Sequence, residues 1–480
     1  MKRLLRKYHK WVGWVLTPFI ILFCVSGIVL NHRKAFSSYD ICRAWMPDNY
    51  AFHNYNNGII RGVITTHRGN IFAYGIAGVW KTDSCFSHFA EYNHGFPKGV
   101  DNRRILNMGE TADHRLWCVT PYAAYQMDDC GKWHLAFESE TELEDMTTHG
   151  DSLLILSQSE VFISRPPYRH FTPHVLLPSD KHTAHNVNLY TIAMKLHSGE
   201  LFGLGGRLFV DFMAIAMIIL CITGIIFTVL KSSIRHSYSK HIARKARLLK
   251  VDLTWHNRLG RYSIFFLLWV TVTGICLRAP ISASLKKVSF SGSSEATENP
   301  YLGQLRGIRW DPLSSQWLLV TARKIYHMKD LNSTPKAFPH QPKISAMGIT
   351  VFQRLDSTWL VGSLRGLYEM NNLTGEAKGY PLQTRHHVKD RRRTSIVGFC
   401  KLDHHIIFEK RAGAFPRLPK MPEVLKIQPI SLWNVAVEVH TGRIFTAFLR
   451  KAVAGYVPVC GLLLIILLVT GWIVGKQRKK

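Results

Sequence analysis

His9-Lys10-Trp11-Val12-Gly13 opens an apolar run that closes on Ser26-Gly27, and His256-Asn257-Arg258-Leu259-Gly260 opens another that closes on Thr273-Gly274. In both, the histidine precedes the glycine of the Ser/Thr-Gly pair by eighteen residues. A second context also occurs twice: His197-Ser198-Gly199 before a third apolar run, and His440-Thr441-Gly442 before a fourth. Helices duplicate easily, but histidines duplicated with them at membrane edges point to a bound metal centre used twice.

The four runs cover roughly 11–30, 208–230, 259–277 and 453–474. Each has the ~20 apolar residues that cross about 30 Å of hydrocarbon. The first has a basic front but no small-residue cleavage site after it, so it reads as a retained helix. Lys2, Arg3, Arg6, Lys7 and Lys10, the basic stretch from Lys231 to Lys250, and Lys476-Gln477-Arg478-Lys479-Lys480 then mark the cytoplasmic ends. The net charge of +29 is mostly this topology signal, and no nucleic-acid partner is expected.

The expected architecture is a membrane α + β chain. Two parallel helix–ectodomain–helix repeats form four transmembrane helices with a β-rich outer domain. The divisions are 1–32 (first helix), 33–196 (outer segment), 197–231 (second helix), 232–255 (basic loop), 256–278 (third helix), 279–439 (outer segment) and 440–480 (fourth helix and basic tail). Parallel repeats pack about an axis along the membrane normal, which puts His9 level with His256 and His197 level with His440. In the outer segments, Leu116–Val119 is followed by Tyr122–Met127, Trp317–Val320 by Ala322–Met328, and Trp359–Gly362 by Leu364–Met370. Each reads as strand, turn, strand. The ~40-residue period suits propeller blades, about three per segment, which could close one shared propeller. A pair of β-sandwiches is the alternative. Of nine cysteines, Cys118 and Cys130 flank a hairpin and could bond in an oxidising compartment. No Cys-x-x-Cys-His occurs, so covalent c-type haem is not indicated.

Ionisable residues at membrane positions are costly and are kept mostly for function. Paired neutral imidazoles suit an electron-transfer haem, because no open position is left for oxygen. Symmetry assigns His9 and His256 to an inner iron and His197 and His440 to an outer one, with iron bound through haem only. The outer pair raises a problem of depth. His197 lies 27 residues before Gly224 and His440 lies 31 before Gly471, too far for unbroken helices in one bilayer. The helices then break, with Gly203, Gly205, Gly206 and Pro458 as break points, or the ligands sit in the interface. His32, at the outer end of the first span, is the alternative outer ligand. Asp211 needs a partner inside the second span: Arg207 four residues earlier, or a ligand imidazole that it would orient. Gly13, Gly27, Gly224, Gly260, Gly274 and Gly471 either let helices approach or leave room for a macrocycle. Arg385, Lys389, Arg391, Arg392 and Arg393 form a basic run that could steer an anionic ferric complex.

The His-x-x-x-Gly helices ending in Ser/Thr-Gly, together with "LHSGELFG" at 196–203 and "VHTGRIF" at 439–445, resemble the PepSY-associated transmembrane family. "SGIVLNHRK" at 26–34 resembles one branch of it and keeps His32 in play. The outer segments do not look like ordinary PepSY domains. The family includes bacterial inner-membrane siderophore reductases and iron-regulated membrane proteins. The resemblance therefore implies a multi-pass inner-membrane protein with cytoplasmic termini and b-type haems, here two. It implies electron transfer across the membrane to a ferric siderophore or other iron chelate in the periplasm. No nicotinamide or flavin motif is evident, so a separate donor, quinol or a reductase, is implied. Two rivals stand beside this expectation: a membrane-anchored sensor or binding protein, and a permease for the chelate.

Overall fold

The computed structural model describes residues 2–179, 186–235, 242–291, 299–345, 347–381 and 395–475. The chain divides into two units. One comprises Met1–Phe36, Asn186–Ser291 and Leu432–Lys480; the other comprises Ser37–His185 and Gly292–Ser431.

The first unit is helical. Four of its helices are long and apolar enough to span a membrane: α1 (Lys2–Asn31), α3 (Gly203–Arg235), α4 (Ile242–Cys276) and α6 (Val453–Gly475). Their length follows from unbroken apolar sequence, since every backbone group in lipid must be satisfied within the segment. Helix α1 packs on α3 and α6, and α4 packs on the same two, so α1 and α4 lie diagonally across the bundle. Leu16, Ile20, Met213, Met217, Leu220, Cys221 and Leu267 fill the middle. Helix α4 starts well before the expected boundary at 256, because the basic stretch from 242 is itself helical.

Two short helices settle the depth problem. Helix α2 (Leu189–Ser198) begins at Asn188, whose side chain accepts from the Thr191 N–H at 2.9 Å, and ends at Gly199 in the left-handed conformation. A 3-10 turn over Glu200–Phe202 follows, and only then does α3 start. Helix α5 (Leu432–His440) likewise stops before Gly442, at φ +75°. The chain therefore breaks directly after His197 and His440. The break is at Gly199–Gly203; Gly205 and Gly206 lie inside α3, and Pro458 lies inside α6. Residues 186–202, expected mostly in the outer segment, belong to the membrane unit.

The second unit is β-rich. Six antiparallel meanders occupy residues 62–91, 107–138, 143–174, 305–337, 351–379 and 396–415. The first five have four strands and the last has three. The expected strand–turn–strand segments are the second and third strands of their meanders: Leu116–Val119 with Ala123–Met127, Gln316–Thr321 with Ile325–Met328, and Thr358–Ser363 with Gly366–Asn371. These second strands are buried almost throughout, so they read as continuous apolar runs rather than alternating ones. Each meander packs on the next. Trp117 and Val119 of the second meet Leu143 and Ile155 of the third, and Leu318 and Val320 of the fourth meet Phe352 and Val361 of the fifth. The sixth packs back on the first, through Val397, Cys400 and Phe408 against Ala73, Ala77 and Trp80. Cys118 is buried on its strand and Cys130 is exposed in the turn, and both are free thiols. The disulfide weighed from sequence does not form because a strand side chain facing the core cannot reach a turn facing solvent.

Between the third and fourth meanders lies a charged seam. Asp145 accepts from Arg309 Nη2 at 3.1 Å and from Asn107 Nδ2 at 2.8 Å. Beside it, burial pushes the Glu144 carboxyl up to about 7, against the opposing pull of Arg306. A carboxyl raised on folding contributes stability that is present below its unfolded value near 4.5 and is lost as pH climbs through about 7. Glu144→Gln should therefore leave the melting temperature unchanged at pH 4 and raise it at pH 8, by up to about 3 kcal/mol in stability. Thermal denaturation of wild type and variant across that range checks it.

Candidate functional site

The four histidines singled out by their repeated contexts come together in two pairs. His9 of α1 and His256 of α4 have ring centroids 6.5 Å apart, with planes at 80°. His197 of α2 and His440 of α5 have centroids 6.1 Å apart, at 55°. His440 rests against Phe23, Ser26 and Gly27 of α1, the helix that carries His9. The pairs are therefore separated by roughly 21–27 Å along that helix, close to one hydrocarbon thickness.

Every one of these rings is held through Nδ1. His9 Nδ1 lies 3.1 Å from the Leu467 carbonyl and 3.2 Å from Thr470 Oγ1. His197 Nδ1 lies 3.0 Å from the Val270 carbonyl and 3.2 Å from Thr273 Oγ1. His440 Nδ1 lies 3.1 Å from the Phe23 carbonyl and 3.0 Å from Ser26 Oγ. His256 Nδ1 lies 2.8 Å from Thr223 Oγ1. Each hydroxyl already gives its hydrogen to the carbonyl four residues earlier: Thr470 to Ile466 at 2.7 Å, Thr273 to Trp269 at 2.9 Å, Ser26 to Leu22 at 2.6 Å and Thr223 to Ile219 at 2.7 Å. A hydroxyl with its hydrogen spent, like a carbonyl, can only accept. The imidazoles therefore donate from Nδ1–H, and the lone pair on Nε2 is left for another partner. This is the tautomer and orientation that a metal-ligating histidine takes when its second nitrogen is tied down.

The glycine after each hydroxyl residue explains the fit. A Cβ on Gly471 would stand 2.8 Å from His9 Cε1, and one on Gly274 would stand 2.9 Å from His197 Cε1. At Gly27 and Gly224 the distances to His440 and His256 are 3.5 and 3.6 Å. At Gly471 and Gly274 the missing Cβ is what lets the ring come this close to the neighbouring helix. Two uses were weighed for these glycines from sequence, helix approach and room for a macrocycle; here all four face an imidazole. A Cβ on Gly13 or Gly260 would meet Leu467 Cδ1 at 3.5 Å or Leu220 Cδ2 at 3.6 Å, ordinary contacts between helices.

The donor chemistry and spacing of these residues would suit a metal bound by one nitrogen from each ring. Bonds of about 2 Å from two imidazoles would put their centroids roughly 6 Å apart. Both pairs stand at that spacing, and neither pair includes a carboxylate or thiolate that would favour a different metal chemistry.

Two expectations are corrected. His32 joins neither pair: its Nε2–H donates to Asp211 at 2.5 Å. Asp211 also accepts from Asn31 Nδ2 at 3.0 Å. The imidazole that Asp211 orients is thus His32 and not a member of the pairs. Arg207 pairs instead with Glu200, at 3.8 Å, because the turn before α3 brings that glutamate alongside. Arg385, Lys389, Arg391, Arg392 and Arg393 lie outside the described residues. The sequence reading missed Ser26, Thr223, Thr273 and Thr470 as acceptors. The signal was present, since a hydroxyl residue directly precedes the glycine in all four spans.

Gly471→Ala and Gly274→Ala should each cost on the order of 1–3 kcal/mol, because the ring or the helix must move. Gly260→Ala, which meets only an ordinary contact, should stay within about 0.5 kcal/mol. Melting of the detergent-solubilised variants distinguishes the two classes.

No curated protein matches the chain. Among solved structures it is similar to the extracellular domain of a one-component system, BT4673, from B. thetaiotaomicron, at 8% identity and a TM-score of 0.36, covering 79% of this chain and 42% of that one. It is also similar to the extracellular domain of a hybrid two-component system, BT3049, from the same organism, at 9% identity and a TM-score of 0.35, covering 76% and 40%. The chain thus spans about two fifths of the length of these structures. The family model for the PepSY-associated TM region matches residues 127–478, which include three of the four spans, His197, His256 and His440. With its four apolar helices and its β-rich unit, this is a multi-pass membrane protein that belongs to the PepSY-associated TM region family.

Proposed function

We propose that this protein carries electrons across a bacterial inner membrane through two b-type haems and delivers them to a ferric siderophore or other iron chelate outside. The observation that carries the proposal is the pair of imidazole pairs, each ring tied through Nδ1 with Nε2 left over. When bound, haem supplies reversible one-electron exchange at iron. The chain's own residues do the rest. His9 and His256 offer Nε2 lone pairs at one end of the bundle, and His197 and His440 offer them at the other. Leu467, Val270 and Phe23 carbonyls and the four hydroxyls fix the ring tautomer and orientation. Two imidazoles per iron leave no position for oxygen. Leu16, Ile20, Met217 and Leu220 keep water out of the span between the pairs.

The chain is read as two parallel repeats: His9 rests on α6 and His256 on α3, while His197 rests on α4 and His440 on α1. That interchange is what a two-fold axis along the membrane normal would give. We also read the six meanders as blades of one propeller shared by the two halves, supported by the packing of the sixth on the first. The basic flanks put both termini on the cytoplasmic side, where quinol or a reductase would act as donor. The choice of ferric chelate as acceptor rests on what the family resemblance implies.

The purified protein from haem-replete cells should show reduced-minus-oxidised bands of haem b. His9→Ala and His197→Ala should each remove about half of them, and the double variant all. A colourless preparation overturns the proposal and favours a sensor. Reduction of a ferric chelate by the dithionite-reduced protein, read with a ferrous-specific dye, tests the acceptor separately. Thr470→Val should keep the haem but raise its midpoint potential, because an Nδ1–H with fewer acceptors makes the ring a weaker electron donor to iron.

A further inference from the structure

The β-rich unit holds a second histidine constellation. His67 sits in the turn between strands Gly62–Thr65 and Ile71–Gly75. That turn is closed by Gly69 N–H to the Thr66 carbonyl at 2.8 Å and by Thr66 N–H to the Asn70 carbonyl at 2.9 Å. Glu110 ends strand Asn107–Glu110 of the next meander, and His114 lies in the turn that follows it. There the Thr111 N–H donates to the Arg115 carbonyl at 3.0 Å and the His114 N–H to the Thr111 carbonyl at 2.8 Å. His114 takes φ +61°, in the left-handed region.

The three side chains converge. The imidazoles of His67 and His114 lie face to face, with centroids 4.0 Å apart and planes at 31°. Glu110 Oε1 contacts His67 Nδ1 closely and stands 3.8 Å from His114 Nδ1. The other oxygen, Oε2, accepts the His67 backbone N–H at 3.0 Å, which pins the carboxylate from behind. One ligand atom from each residue falls within 4.8 Å of the others, and this is the only such group among the described residues. The carboxylate is 17% exposed, while His114 is 61% exposed, so the base of the cluster is covered and its mouth is open.

We propose that His67, Glu110 and His114 bind a first-row divalent cation of the zinc class on the outer unit. Two neutral imidazoles and one carboxylate make a borderline donor set that suits Zn²⁺, Ni²⁺, Cu²⁺ or Fe²⁺ over Ca²⁺ or Mg²⁺. Bonds to such an ion are about 2.0–2.2 Å, so donor atoms already within 4.8 Å close on it by side-chain rotation alone. Three protein ligands leave a fourth position for water or an exchangeable ligand. A plain ion pair accounts for the geometry less well. An ion pair needs only one ring beside Glu110 and leaves the second, stacked at 4.0 Å, without a role. A dication makes use of both rings and the carboxylate. This site is independent of the haem proposal, since none of its residues belongs to the membrane unit.

The test uses the full chain in detergent, stripped with a chelator and then dialysed against Zn²⁺ alone. Bound zinc is counted by elemental analysis, and affinity is read by competition with a chromophoric chelator. Wild type should hold one tight equivalent. His67→Gln, His114→Gln and Glu110→Gln should each weaken it by at least about tenfold, with ectodomain melting unchanged in the metal-free state. X-ray absorption at the zinc edge should report two imidazoles in the bound form. Wild type that holds no tight equivalent, or a His67→Gln/His114→Gln double variant that keeps it, overturns the proposal. The second outcome would assign the zinc to other histidines of the chain.

Discussion

A spent hydroxyl beside a missing side chain is the constraint on which the membrane unit depends. In each span a serine or threonine gives its hydrogen to its own helix, and its oxygen then accepts from an imidazole. The next residue is glycine in all four, and at Gly471 and Gly274 a side-chain carbon would push that imidazole away. In lipid such a hydrogen bond has no water competing for it, and an imidazole without one would be expensive to bury. The same two residues thus serve the helix, the neighbouring histidine and the tautomer at once. Helix contacts alone would have accepted alanine and valine at many of these places.

The two breaks after α2 and α5 follow from the same demand. A continuous helix from His197 to the end of α3 would carry the ring past the bundle. Gly199 and Gly442, both at positive φ, stop the short helices so that His197 turns onto α4 and His440 onto α1. Close approach fixes these turns too: a Cβ at Gly199 would stand 2.2 Å from the Gly206 carbonyl oxygen, and one at Gly442 would stand 2.3 Å from the Tyr456 ring.

Much of this was legible in the sequence, for definite physical reasons. Four apolar runs and basic flanks announce spans because lipid tolerates little else. The eighteen-residue spacing from His9 to Gly27, and from His256 to Gly274, is visible because helices convert residue count to depth. The placement of His9 beside His256 at one depth follows if the halves pack as symmetric copies. What the sequence could not give was which residue sits beside which histidine, because those contacts join segments more than 400 residues apart for His9 and His440. Local spacing offered Arg207 to Asp211 beside a ligand imidazole, yet the backbone turn at Glu200–Phe202 takes Arg207 to Glu200, and the imidazole on the carboxylate is His32. His67 and His114 carry no shared motif in the sequence; the packing of one meander on the next brings their two turns together.

Each seat for a histidine is built by the opposite half of the chain, and the most extreme case is His9, whose hydroxyl partner is Thr470. A nascent polypeptide inserting its helices in order exposes the first imidazole long before the last helix exists. The pocket around it closes only once α6, more than 400 residues further along the chain, has been made and has met α1. A group held there would stay open to one side until those two helices meet.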